Sequence, residues 1–157
     1  VPVKPQSKKK KRVIDPLKLE QIQFNNAVRS VFMQGGFSRL PVNGVEFTFR
    51  GRTGELDDAF LFENILVLCE YTIGKTSTSH IGKKKFLFDE ILNNSAEWVE
   101  ALRGLSADFD EAYIANNYDA DDFRVKIVYC SKKGVNEEIL HVYPQILYLD
   151  FPQIKYL

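Results

Sequence analysis

From Gly54 to Thr72 the chain reads Gly-Glu-Leu-Asp-Asp-Ala-Phe-Leu-Phe-Glu-Asn-Ile-Leu-Val-Leu-Cys-Glu-Tyr-Thr. Two strand-like apolar runs flank a short turn at Glu63-Asn64, and carboxylates stand where a core strand should carry none. Asp57 lies in the first run, and Glu70 closes the second after five apolar residues, Ile65 to Cys69. A carboxylate at the end of a buried strand is costly unless it is paired or bound to a cation. If the two runs are adjacent antiparallel strands, Asp57 and Glu70 come close together. Hard cations such as magnesium are usually held by one or two carboxylates, with water and phosphate oxygens completing the shell. The pair therefore reads as a phosphodiester-cleaving metal site. Taken singly, Asp57 also reads as a polar residue on a half-exposed strand, and Glu70 as a strand-end glutamate reaching solvent. Side chains alternate along a strand, so only one of Asp57 and Asp58 can serve as the first ligand. The phase of Gly-Glu-Leu-Asp selects Asp57, with Asp58 facing the other way alongside Leu56, Phe60 and Phe62.

The 157 residues suffice for one domain with a sizeable core, and a 45% hydrophobic, 13% aromatic composition excludes disorder for most of the chain. Net charge is zero, so nucleic-acid binding would have to rest on local patches. The cysteines, Cys69 and Cys130, end apolar runs without CxxC spacing. That speaks against zinc and for buried thiols in a reducing, cytoplasmic setting. No apolar run approaches the roughly 20 residues that span a bilayer, so no membrane association is expected.

Residues 1–14, with the run Lys8-Lys-Lys-Lys-Arg12, read as a flexible basic arm, either a solvated tail, a phosphate contact or a nuclear address. Residues 15–157 read as one domain. Asp15-Pro16 starts a helix that Gly35-Gly36 stops near Gln34. On it Glu20 stands at the N-terminal end of a stripe of Phe24, Ala27, Val28, Val31 and Phe32, either an active-site acid or a first-turn glutamate. Residues 45–50 alternate as a strand and, with the two runs that follow, predict a three-stranded antiparallel meander. A polar loop, residues 76–79, caps a second helix from His80 to about Asn94, whose apolar face is Ile81, Leu87, Phe88, Ile91 and Leu92. Lys84 projects near the middle of that face, Lys85 at its edge and Lys83 opposite. His80 reads as a helix-start residue, contacting phosphate or simply exposed. Ser95 is expected to cap a third helix over 96–102, residues 108–122 to be acidic and to end in a solvated loop, residues 123–130 to form a fourth strand, and 139–150 a fifth apolar run. Tyr71 and Tyr129 read as packing groups. The apolar ending at 151–157 suggests a domain excised from a longer chain.

A helix, a three-strand meander, a second helix and further strands, with acids at Glu20, Asp57 and Glu70, resembles the PD-(D/E)XK nuclease superfamily over roughly residues 15–130. Gly54-Glu-Leu-Asp57, a turn, and an apolar strand ending in Glu70 are similar to the Gly-Glu-Ile-Asp opening and Glu-x-Lys close of many members. The resemblance implies an α/β (α+β) fold, a restriction-endonuclease-like mixed central sheet of about five strands flanked by helices. It also implies metal ligation (Mg2+ or Mn2+) by Asp57 and Glu70, assistance from Glu20, and DNA as the partner, with a homodimer and a further domain of the same longer chain as additional partners. This sequence departs from the pattern at Thr72, where the family has the lysine that positions the attacking water. In some members that lysine has moved to the following helix, which makes Lys84 the counterpart, ahead of Lys75 and Lys85. A fainter likeness is to nuclease-like segments of longer bacterial proteins with a DGQHR domain, although that motif is not in this chain. Two functions follow from the resemblance: a metal-dependent DNA endonuclease of bacterial restriction or defence, or a degenerate nuclease-fold module that binds nucleic acid or a protein.

Overall fold

The structure is a computed structural model that describes residues 13–74, 78–135 and 137–150. The basic arm as far as Arg12, Lys75, residues 76–77 and the ending 151–157 lie outside the described residues, as does the side chain of His80. In chain order the elements are α1 (Pro16–Gln34), β1 (Ser38–Leu40), β2 (Phe47–Phe49), β3 (Arg52–Gly54), β4 (Asp58–Phe62), β5 (Ile65–Thr72), α2 (Thr78–Asn93), α3 (Ser95–Leu105), α4 (Ala107–Ala115), β6 (Arg124–Ser131), α5 (Glu137–Val142) and β7 (Leu147–Asp150). No helix among the described residues is long and apolar enough to cross a membrane.

Local chemistry explains the boundaries of α1. The Asp15 side chain accepts the Leu17 backbone N–H at 3.0 Å, and Pro16 occupies the first helical position, where its missing N–H costs nothing. Gly36, at φ 96°, turns the chain out of the helix. The central sheet has the order β1-β4-β5-β6-β7; β1, β4 and β5 are antiparallel neighbours, while β5, β6 and β7 run parallel. It is a mixed five-stranded sheet between helices, the α/β class expected.

Strand β5 is the hinge of the architecture because both of its faces are covered. Leu66 and Leu68 point into a core shared with Ile81, Phe88 and Ile91 of α2, Trp98 and Leu102 of α3 and Phe109 of α4. Val67, Cys69 and Tyr71 point the opposite way, against Phe24 and Val28 of α1. On β6, Ile127 and Val128 divide between the same two cores, as their burial on both faces required. Cys69 and Cys130 are buried free thiols in the α1-side core.

The strand partners differ from the expected meander. Residues 45–50 do not flank β4: β2 pairs with β3 in a separate two-stranded sheet, closed by Arg50 and Gly51, both at positive φ. That hairpin buries Phe47 and Phe49 on Trp98, with ring centroids 5.0 and 5.4 Å apart. The three-residue β1 takes the place beside β4. Residues 107–115 are helical, with Ser106 capping through the Phe109 N–H, where only an acidic stretch was expected. The third helix begins at Ser95 itself, with Asn94 as its cap position. The run at 139–150 is divided between α5 and β7.

A buried carboxylate fastens α1 and β1 to this sheet. Asp58 is fully buried and accepts from Arg29 Nε at 2.5 Å, Arg39 Nε at 2.8 Å and the Tyr71 hydroxyl at 2.9 Å. Its donors come from α1, β1 and β5, while Asp58 itself opens β4. Removing one partner of a buried charge cluster leaves the rest uncompensated, which typically costs 3–5 kcal/mol. Arg29 and Arg39 retain partial solvent access, so Asp58→Ala is expected to lower unfolding stability by about 3 kcal/mol, toward the low end of that range. Urea denaturation measures it; a loss below about 1 kcal/mol would show that the cluster does not secure α1.

Candidate functional site

By the alternation of β5, Glu70 shares the face of Leu66 and Leu68 and so points toward α2. It is 5% exposed, a carboxyl group within a core strand that continues for two residues beyond it. The β4–β5 register closes with Asp58 opposite Cys69, and one further step along the chain sets Asp57 beside Glu70. Asp57 has already left the strand, because β4 begins at Asp58, and its Oδ2 accepts the Tyr71 backbone N–H at 2.8 Å. That bond fixes Asp57 against the residue following Glu70, close enough for the two carboxyl groups to influence each other's ionisation.

Lys84 reaches this pair from α2. Its Nζ lies 2.6 Å from Glu70 Oε1 and donates to the Glu55 carbonyl at 2.9 Å. Gly54 permits the approach: a Cβ there would lie 2.7 Å from Leu87 Cδ2, inside contact distance. Leu87 stands one turn after Lys84 on the same helical face, so the close seat of α2 on β3 brings the ammonium to the next residue's carbonyl. The motif glycine thus has a packing role three elements along the chain from its own strand.

Burial is the largest influence on Glu70 and pushes its pKa up to about 9; the hydrogen bond and charge of Asp57 push the same way, and Lys84 only partly offsets them. The short contact to Lys84 by itself suggests a plain ion pair. The burial of Glu70 beside a second carboxyl group outweighs it, and Glu70 retains a proton near neutral pH. Tyr129 stands opposite Glu70 on β6, and burial first, then Glu70, raises its hydroxyl well above the ordinary tyrosine range.

Glu20 is placed elsewhere. It lies on α1, which covers the opposite face of the sheet, and its Oε1 bonds Lys132 Nζ at 2.9 Å. Lys132 in turn donates its backbone N–H to the Thr72 carbonyl at 2.9 Å, so the pair sits past the C-terminal end of β5. Thr72 Oγ1 accepts the Gly74 N–H at 3.2 Å and closes a turn there. Lys85 Nζ lies 5.6 Å from the Tyr143 ring centroid, and Lys83 is exposed. Tyr71 and Tyr129 both pack within the cores.

Two parts of this arrangement went unread in the sequence. The Glu55 carbonyl carries no side-chain signal, and the Asp58 cluster depends on arginines 29 and 19 residues away. Leu56 was expected to face the same way as Asp58 and Phe60. Instead it enters the α2-side core, because residues 55–57 are not in a strand and alternation lapses there.

Asp57 and Glu70 are the side chains that could hold a hard cation. Among the described residues no group of three or more His, Cys, Asp or Glu side chains is arranged for a metal ion. A two-carboxylate set fits magnesium, which keeps most of its water and substrate oxygens, better than zinc or calcium. The high proton affinity of Glu70 marks a place that favours positive charge. Compared with known proteins, the chain matches no family model, no curated protein and no solved structure.

The raised pKa has a stability consequence with a definite sign. Between about pH 4.5 and 9 the folded protein holds a proton at Glu70 that the unfolded chain releases, so this group's contribution is full below that window and lost as pH rises through it. Stability of the native protein relative to Glu70→Gln should therefore fall from about pH 5 to about pH 8, by at most ~1.4 kcal/mol per pH unit. Urea titrations of both proteins at the two pH values check this; parallel pH profiles would contradict it.

Proposed function

We propose that Asp57, Glu70 and Lys84 form the active site of a divalent-cation-dependent DNA endonuclease of the PD-(D/E)XK type, acting in the bacterial cytoplasm in restriction or defence. The supporting observation is the 2.6 Å approach of Lys84 Nζ to a Glu70 whose carboxyl group is paired with Asp57. Thr72 stands where such nucleases carry their strand lysine, and an ammonium delivered from α2 answers that gap.

Magnesium or manganese, held by Asp57 and Glu70, would lower the pKa of a bound water and polarise the scissile phosphate. The chain's own groups have separate tasks. The Tyr71 backbone N–H orients Asp57, and the Glu55 carbonyl holds the Lys84 ammonium beside the carboxyl pair. Lys84 then orients the attacking water and stabilises negative charge developing on the phosphate. Glu20 is a supporting acid only if Lys132 releases it, so its role is secondary. Cutting both strands of a duplex needs two such sites, which favours a homodimer.

A second reading is favoured by Thr72, whose hydroxyl is committed to a turn, and by the zero net charge: a nuclease-fold module that binds DNA or a protein without cutting. Plasmid cleavage assays separate the two. The endonuclease reading expects nicking that requires magnesium or manganese, is lost in Asp57→Ala, and falls by roughly 10²- to 10³-fold in Lys84→Met, the scale for removing one charge-stabilising donor. Cleavage that persists in Asp57→Ala would remove the site assignment, and DNA binding without cleavage would favour the second reading.

A further inference from the structure

On the face of the sheet opposite Asp57 and Glu70, a shallow, open cavity of about 570 Å³ lies between α1 and β1, lined by Asn26, Arg29, Ser30, Met33, Gln34 and Arg39. No carboxylate is among these lining residues, and two are arginines. Both guanidiniums bond the fully buried Asp58 through Nε, Arg29 at 2.5 Å and Arg39 at 2.8 Å. Among the described residues the only further bond from either head is Arg29 Nη1 to Asn26 Oδ1, at 3.2 Å.

A guanidinium carries five N–H donors, and one from each arginine is spent on Asp58. Asp58 thus uses both of its oxygens to fix two planar donor forks, and most of their terminal N–H groups remain available. Two arginines against one carboxylate leave a net positive charge, and the Tyr71 hydroxyl takes up a further share of Asp58's acceptor capacity. Arg39 also borders a second cavity, on the other side of β1, where Asp108 and Glu111 contribute lining carboxylates; an anion is favoured only on the α1 side. Fixed, planar guanidinium forks at an open cavity suit a tetrahedral oxyanion better than a monovalent halide.

We infer that the cavity between α1 and β1 is a phosphate-binding site in which Arg29 and Arg39, held by Asp58, grip the phosphate oxygens. The site stands apart from the cleavage chemistry proposed above and survives its failure. Its phosphate is either free in solution or carried at the end of a nucleic-acid strand, and both present the same oxygens.

Titration of the native protein with inorganic phosphate, at ionic strength held constant with chloride, tests the inference through the arginine Nε–H resonances and the thermal midpoint. Saturable shifts of the Arg29 and Arg39 signals are expected, with affinity reduced at least roughly tenfold in Arg39→Gln. Ser30 is exposed and bonds neither Asp58 nor the arginines, so Ser30→Glu places a carboxylate at the cavity without disturbing the fold, and it should weaken phosphate binding to the same extent. A second arm compares one oligonucleotide with and without a 5′-phosphate: preference for the phosphorylated form, lost in Ser30→Glu, assigns the site to nucleic-acid ends. Equal binding of the two oligonucleotides, alongside phosphate binding that is lost in Ser30→Glu, assigns it to free phosphate. Absence of saturable phosphate binding by the wild-type protein, or binding unchanged in Ser30→Glu, would overturn the inference.

Discussion

Glu70 sits within a strand covered on both faces, and burying that carboxyl group is the constraint around which the neighbouring structure is arranged. An isolated buried charge is prohibitive, so the group must keep a proton, gain a cationic neighbour or bind a cation. The structure uses the first two together: burial beside Asp57 favours the protonated carboxyl group, and the ammonium of Lys84 lies against it. Each requires something further. Asp57 has to stay outside β4 to bond the Tyr71 N–H, and Lys84 has to arrive on a helix seated close enough that a side chain at residue 54 would displace Leu87. The buried acid of β5 thus links the β4–β5 hairpin, the contact of Gly54 with Leu87 and the placement of α2.

Two successive aspartates perform opposite jobs because the sheet separates them. Asp58 turns toward α1, where two arginines and a tyrosine hydroxyl enclose it, while Asp57 bonds the β5 backbone beside Glu70. Asp58 belongs to the scaffold: its partners draw α1 and the short edge strand β1 onto the sheet. Asp57 keeps one face toward a group that favours positive charge. Exchanging their roles would require a one-residue slip of β4, which would turn Phe60 out of the α1-side core.

Much of this was legible in residue order wherever periodicity was strong. The apolar stripe of α1, the phase of α2 that turns Lys84 inward, and the β4–β5 hairpin about Glu63 and Asn64 all follow from spacing, and the structure has them. Partner choice did not follow from spacing. Residues 45–50 alternate well as a strand, yet alternation says nothing about which sheet a strand joins, and Phe47 and Phe49 gain more by closing over Trp98. The strand that does flank β4 has only three residues, too few to show a period. Helix α4 was hidden because its acidic residues resemble a solvated loop, and its start depends on one serine cap. Glu20 stands at the N-terminal end of its helix's apolar stripe, but the side of the sheet that α1 covers cannot be read from the helix itself, and there Glu20 pairs with Lys132.

In the proposed site, the proton held by Glu70 occupies a cation's place between Asp57 and Lys84. Calorimetric titration with magnesium near neutral pH, repeated in buffers of different ionisation enthalpy, measures the protons released per ion bound. Carboxylate-dependent binding with release of close to one proton is expected in the native protein, and binding without that release in Glu70→Gln. Failure of the native protein to bind magnesium or manganese, or the same proton release from both proteins, would contradict it.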